Sequence, residues 1–103
     1  MTVVGTTIVQ VKPDRFQEWL DQVRKAKVVM EQAGAKNVRV LVGLVAGQAT
    51  GTIVVTSETD DFAGAGTVMD KAIANPEMQQ ILMIGDASPM AGFQTSYFLE
   101  GPL

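Results

Sequence analysis

Few side chains in this sequence are equipped for chemistry, and those that are stand far apart. Trp19 is the sole tryptophan and Tyr97 the sole tyrosine. An indole can wall a pocket for a planar substrate, and a phenol can donate a hydrogen bond to a carbonyl or phenolate oxygen. Each also has an ordinary role: Trp19 joins an apolar stripe and packs as core, and Tyr97 sits half-buried on a strand with its hydroxyl in water. Arg39 interrupts a run of valines and can grip a carboxylate through two parallel hydrogen bonds, or else guard an exposed strand edge. Lys27 falls inside an apolar helical stripe, where a desolvated amine could act as a base, unless its long stem carries the charge to solvent. Asp60 and Asp61 could approach a divalent cation, but adjacent side chains rarely converge on one ion and helix capping uses the same residues.

What is missing narrows the chemistry further. The sequence contains no cysteine and no histidine. That removes thiol catalysis, disulfides, Ser-His-Asp machinery, histidine-ligated haem and the common transition-metal sites, leaving carboxylate sites for hard cations. No metal and no cofactor are expected. Gly64-Ala65-Gly66 lacks the third glycine and the preceding parallel unit of a dinucleotide site, and no Gly-Lys-Ser/Thr follows Gly43, Gly47 and Gly51 to make a phosphate loop. The six methionines suit irregular packing around a cavity or in core gaps.

The elements that must position these groups follow from periodicity. The 103 residues, 47% hydrophobic and 18% charged, suit one folded domain spanning 1–103. Lys and Arg number 8 against 11 Asp and Glu, a net charge of −3 with no basic cluster, so a nucleic-acid surface is disfavoured. No run approaches the ~18–20 apolar residues of a membrane span and Met1 to Gln10 does not read as a leader, which gives a cytoplasmic protein without membrane contact as the expectation. Val3 to Val11 reads as a strand closed by Pro13. Asp14 is the expected cap of a helix from Arg15 to Ala33, whose stripe runs Phe16, Trp19, Leu20, Val23, Ala26 and Met30, with Gly34 as its left-handed C-terminal cap. Val38 to Val45 and Thr52 to Ser57 form a hairpin about Gly47 to Gly51. Phe62, Ala65, Met69, Ala72 and Ile73 mark a second helix that must break at Asn75-Pro76-Glu77, where the same residues start a new one. Met78, Ile81 and Leu82 continue it to Gly85, and Phe93 to Leu99 is the last strand.

The order strand, helix, strand, strand, broken helix, strand is the α+β ferredoxin-like βαββαβ arrangement, an antiparallel four-stranded sheet with helices on one face. Its second face should be wet, but strand two alternates Val38, Val40, Val42 and Leu44 with Leu41 and Val45, interrupted by Arg39 and Gly43. A sheet apolar on both faces needs a second cover, so a homodimer packed through the sheet is expected.

The Val-rich first strand closed by Lys12-Pro13-Asp14, the long amphipathic helix and the break Ala74-Asn75-Pro76-Glu77-Met78-Gln79 resemble the dimeric α+β barrel superfamily, which includes antibiotic-biosynthesis monooxygenase-like and NIPSNAP-like domains. The resemblance implies two sheets closing into a barrel, with a pocket between sheet and helices in each subunit. Branches that bind and degrade haem rely on a histidine this chain lacks. Similar segments often carry aspartate before the proline and an aromatic residue after the glutamate, where this chain has Asn75 and Met78. A cofactor-independent monooxygenase or isomerase acting on a small aromatic or polyketide-like compound is one function the resemblance implies. A non-catalytic ligand-binding or stress-related dimer is the other. Either would place the small molecule near Trp19, with Thr7, Arg39 or Tyr97 as polar contributors. Alternation puts Thr7 with Val9 and Val11, and Tyr97 with Phe93 and Thr95, on adjacent strands. It leaves open which sheet face meets the helices.

Overall fold

The computed structural model describes residues 2–43, 51–83 and 88–101. Strand β1, Val3–Val11, is the member to which the others attach. It pairs antiparallel with β3, Ile53–Thr59, on one side and with β4, Met90–Leu99, on the other, while β2, Lys36–Val42, adds to the far edge of β3. The resulting order β2-β3-β1-β4, with helices α1 (Phe16–Gln32), α2 (Phe62–Ala74) and α3 (Pro76–Ile81), is the ferredoxin-like βαββαβ fold. The helices cover the face that carries Val3, Val9, Ile53, Val55 and Val38, and these residues are buried. The core gathers Val9, Ile53 and Met90 from the sheet against Trp19 and Val23 of α1 and Met78 and Ile81 of α3.

Local chemistry sets the ends of the helices. Gly34 adopts φ 108°, and the Gly34 and Ala35 amides donate to the Glu31 and Met30 carbonyls at 3.1 and 3.0 Å. This is a Schellman closure, in which a glycine takes the left-handed position at little steric cost. Asp61 caps α2, its carboxylate accepting from the Gly64 amide at 2.6 Å. Asn75 ends α2 and starts α3: its side-chain oxygen accepts from the Glu77 and Met78 amides, and Pro76 fills the first position, where no amide is needed.

Several expectations need correction. Asp14 does not cap α1. Lys12 to Asp14 forms a turn instead, closed by the Arg15 amide on the Lys12 carbonyl at 3.0 Å, so Arg15 becomes the boundary residue and pairs with Glu18 at 2.6 Å. Phe62 and Ile73 of the α2 stripe are largely exposed, at 55% and 49%, while Ala65 and Ala72 of that helix are buried and Val68 and Met69 half-buried. Strand β2 begins two residues before Val38, with Asn37 at φ 48° in a register shift between Lys36 and Arg39. The expected residues Leu44, Val45, the turn at 47–50 and Gly85 lie outside the described residues.

Replacing Asn75 with alanine removes two amide partners at the junction of α2 and α3. It is expected to lower unfolding stability by about 1 kcal/mol, read from the midpoint of urea denaturation with an unchanged slope.

Candidate functional site

A cavity of about 230 Å³ lies between the sheet and the helices. On α1 the three- and four-residue steps Trp19, Val23 and Ala26 turn one face toward it; α2 contributes Val68, Met69 and Ile73, and α3 contributes Met78 and Ile81. The floor comes from alternate residues of β3, β1 and β4, and the ladder register orders them into rows. Val9 and Phe93 form an apolar row, with Ile53 buried beside Val9 on β3. Val55, Thr7 and Thr95 form the next, and Ser57, Gly5 and Tyr97 the one after. Polarity therefore rises along the cavity toward the row centred on Gly5. Among the described residues no charged side chain lines it.

Three of the four residues singled out from sequence line this cavity. Thr7 is on its floor with its hydroxyl 2.9 Å from that of Thr95. Trp19 is 3% exposed and belongs to the core while walling the cavity, so its two expected roles coincide. Among the described residues its indole N–H has no partner, a desolvation cost of ~1–3 kcal/mol that the packing of the ring must offset. Tyr97 lies at the mouth, its hydroxyl donating to Met69 Sδ at 3.7 Å across from α2. Ile73 of α2 and Phe93, Thr95 and Tyr97 of edge strand β4 are exposed lining residues, so the cavity opens between those two elements. Burial pushes the Tyr97 phenol above its ordinary pKa.

Arg39 is the exception and needs correction. It pairs in register with Thr56, whose side of β3 faces away from the helices, and it is exposed there. The alternation that buries Val38 under α1 sends Arg39 to the opposite face, so it cannot reach a ligand in the cavity. Lys27 is exposed. Asp60 pairs with Lys36 at 2.9 Å, which lowers its pKa, and Asp61 caps a helix. Among the described residues no cluster of acids could hold a metal, and no helix is long and apolar enough to cross a membrane.

The residues that sequence reasoning did not single out are Gly5, Ser57, Thr59 and Thr95. Gly5 is the informative one. A β-carbon there would lie 3.2 Å from Ser57 Oγ and 3.2 Å from Tyr97 Cε1, so the glycine leaves room for both side chains to meet over the sheet. A glycine inside a valine-rich strand was the available signal.

No protein-family profile matches the sequence, and no characterised protein matches it. Its fold is nevertheless shared with solved structures. A NIPSNAP-like domain protein from Burkholderia xenovorans superposes with a TM-score of 0.74 at 12% identity, covering 98% of this chain and 86% of that one. A NIPSNAP family protein from Agrobacterium tumefaciens gives 0.73 at 13% identity, over 99% and 95% of the two chains. An antibiotic biosynthesis monooxygenase gives 0.70 at 16% identity, over 99% and 100%. The chain thus has the fold of the superfamily its sequence resembles.

Because burial raises the Tyr97 pKa, the folded state holds that proton more tightly than the unfolded chain. The resulting stabilisation is complete below the unfolded value of ~10 and is lost as pH rises through the folded value. Urea stability is therefore expected to fall more steeply above pH ~10 in the native protein than in Tyr97→Phe. Identical slopes would mean that the phenol is equally hydrated in both states.

Proposed function

We propose that this protein is a homodimer that binds a small, flat, mostly apolar compound in the cavity between sheet and helices. The observation that carries this reading is the cavity itself: apolar walls, an uncharged polar row on the floor and a mouth between α2 and β4. Pockets of this build orient a ligand through a few polar groups and gain affinity from apolar contact. At about 230 Å³ it suits a compound of a few rings rather than a large cofactor.

The finer reading is a cofactor-independent monooxygenase or isomerase acting on an aromatic or polyketide-like compound, supported by the fold shared with an antibiotic biosynthesis monooxygenase. Here the substrate's own activated methylene would supply the electrons: one O2 is consumed, the CH2 becomes a carbonyl and one water leaves. The protein's part would be to hold the compound away from water and to hydrogen-bond its developing oxyanion through Tyr97. The second reading, a non-catalytic binder, is favoured by the lining, which among the described residues offers no carboxylate, amine or imidazole as a general base.

Dimerisation is supported by the uncovered sheet face. Leu41, Val54 and Ile8 run across three strands as one apolar row, and Val4 with Phe98 makes a shorter apolar pair continued by Glu58 and Lys36; between them lies a polar row of Arg39, Thr56, Thr6 and Ser96. Leu41, Ile8 and Phe98 are 42%, 40% and 58% exposed. A second copy turned by a two-fold axis offers the same rows as the cover this face lacks.

Oxygen uptake with anthrone as the probe tests the enzymatic reading. Metal-free turnover producing anthraquinone at one O2 per molecule is expected of a monooxygenase, binding without uptake leaves the binder, and neither would end the cavity proposal. For the dimer, sedimentation at micromolar concentration should give twice the chain mass, and Leu41→Asp should shift it toward monomer by placing a charge in the apolar row. A monomeric native protein would refute that arrangement.

A further inference from the structure

We infer that Met69 is an oxidation site: peroxide turns its thioether into a sulfoxide whose oxygen accepts the Tyr97 hydroxyl and ties α2 to edge strand β4. The inference does not depend on the cavity holding a ligand.

Two properties separate Met69 from the other described methionines. Met78 and Met90 are buried, so an oxidant in water reaches them only when the fold opens. Met30 packs against the core. Met83 is exposed to oxidant, but among the described residues its sulfur takes no hydrogen bond. Met69 is half-buried on α2 at the mouth of the cavity, beside the exposed Ile73 and Tyr97, and its Sδ accepts from the Tyr97 hydroxyl at 3.7 Å. It is therefore within reach of a small oxidant and already faces a donor.

The step balances with peroxide alone. A sulfur lone pair attacks one peroxide oxygen, and the S–O bond forms as the O–O bond breaks. The departing hydroxide takes the proton left on the transferred oxygen and leaves as water, so the sulfur loses the two electrons that the peroxide gains. The product changes the quality of the contact. A thioether is a weak acceptor, whereas a sulfoxide is polar and presents an oxygen. That oxygen stands in the gap between sulfur and phenol, so a small turn of the Met69 side chain brings it to the ~2.7–2.8 Å usual for O–H···O. Because Met69 lies on α2 and Tyr97 on β4, the stronger bond fastens the two elements between which the cavity opens. Among the described residues no charged side chain lines the cavity, so the phenol has no ionic partner there to compete with the sulfoxide.

Tyr97 is the sole tyrosine, so absorbance titration of the folded protein reports this hydroxyl alone. After mild peroxide treatment of the full-length protein, peptide mass mapping is expected to find one added oxygen on Met69 and on Met83, with Met78 and Met90 still reduced. The tyrosine midpoint should then rise by ~0.5–1 pH unit, because the sulfoxide bonds the protonated phenol and not the phenolate. Met83→Leu should keep that rise, and Met69→Leu should abolish it. Amides of α2 should exchange ~2–10-fold more slowly after oxidation, and Tyr97→Phe should remove this slowing. Met69 staying reduced while Met83 is oxidised would overturn the assignment of the site. A tyrosine midpoint that stays or falls once Met69 carries its oxygen, or unchanged exchange in α2, would overturn the tie between α2 and β4.

Discussion

The double pairing of β1 governs nearly everything else in this molecule. A central strand bonded on both edges cannot slip by one residue without turning its whole apolar set to the wrong face, so its register is strongly held. Because β3 and β4 both align on it, the residues opposite Gly5, Thr7 and Val9 are fixed on either side. The cavity floor is thus a product of backbone hydrogen bonding more than of side-chain contact. This explains how residues 40 or more positions apart in the chain, such as Ser57 and Tyr97, meet over one glycine. The same rows, read from the other side, generate the apolar pattern of the uncovered face.

Much of the fold was legible because it rests on local signals with a mechanism. The step pattern from Phe16 to Met30, the glycine after it and the Asn-Pro-Glu break each have a physical cause that acts within a few residues, and each element stands where those signals put it. The failures are also local in origin. Asp14 sits beside a proline in a turn that competes with capping, and α2 buries Ala65 and Ala72 while Phe62 and Ile73 of its stripe stay largely exposed. What period-two alternation could not reveal was the absolute face. Thr7 and Tyr97 were grouped correctly with their neighbours, but nothing in a strand's own sequence says which side a helix will cover when apolar residues occupy both. Ser57 and Gly5 escaped notice for a related reason. Small residues carry little chemistry alone, and their significance appears only when the register sets them beside Tyr97.

The balance of polar and apolar surface within the cavity bears on how stability and function coexist. A cavity lined by carbon and sulfur forfeits packing contacts that a filled core would have, and natural domains have only ~5–15 kcal/mol of stability in all. The fold meets this with the Schellman closure at Gly34, the Asp61 and Asn75 caps, and a buried cluster behind and around the cavity in which Ile53 and Met90 are fully excluded from solvent. The less constrained parts cluster at the mouth. β4 is an edge strand, Ile73 and Phe93 are partly exposed, and Tyr97 is held to α2 by one long contact with a sulfur atom.

Under the proposed binding role, that arrangement makes the mouth the place of ligand entry. Parting α2 from β4 breaks a weak hydrogen bond to a thioether and, among the described residues, no ion pair, whereas opening the cavity from the α1 side would disrupt Trp19, Val23 and the core behind them. A ligand that satisfies Tyr97 and fills the apolar end stabilises the closed protein by mass action in proportion to its concentration over its dissociation constant. Since the contacts it would replace are the weakest in the wall, binding should tighten the α2–β4 side more than the core, which is already close-packed.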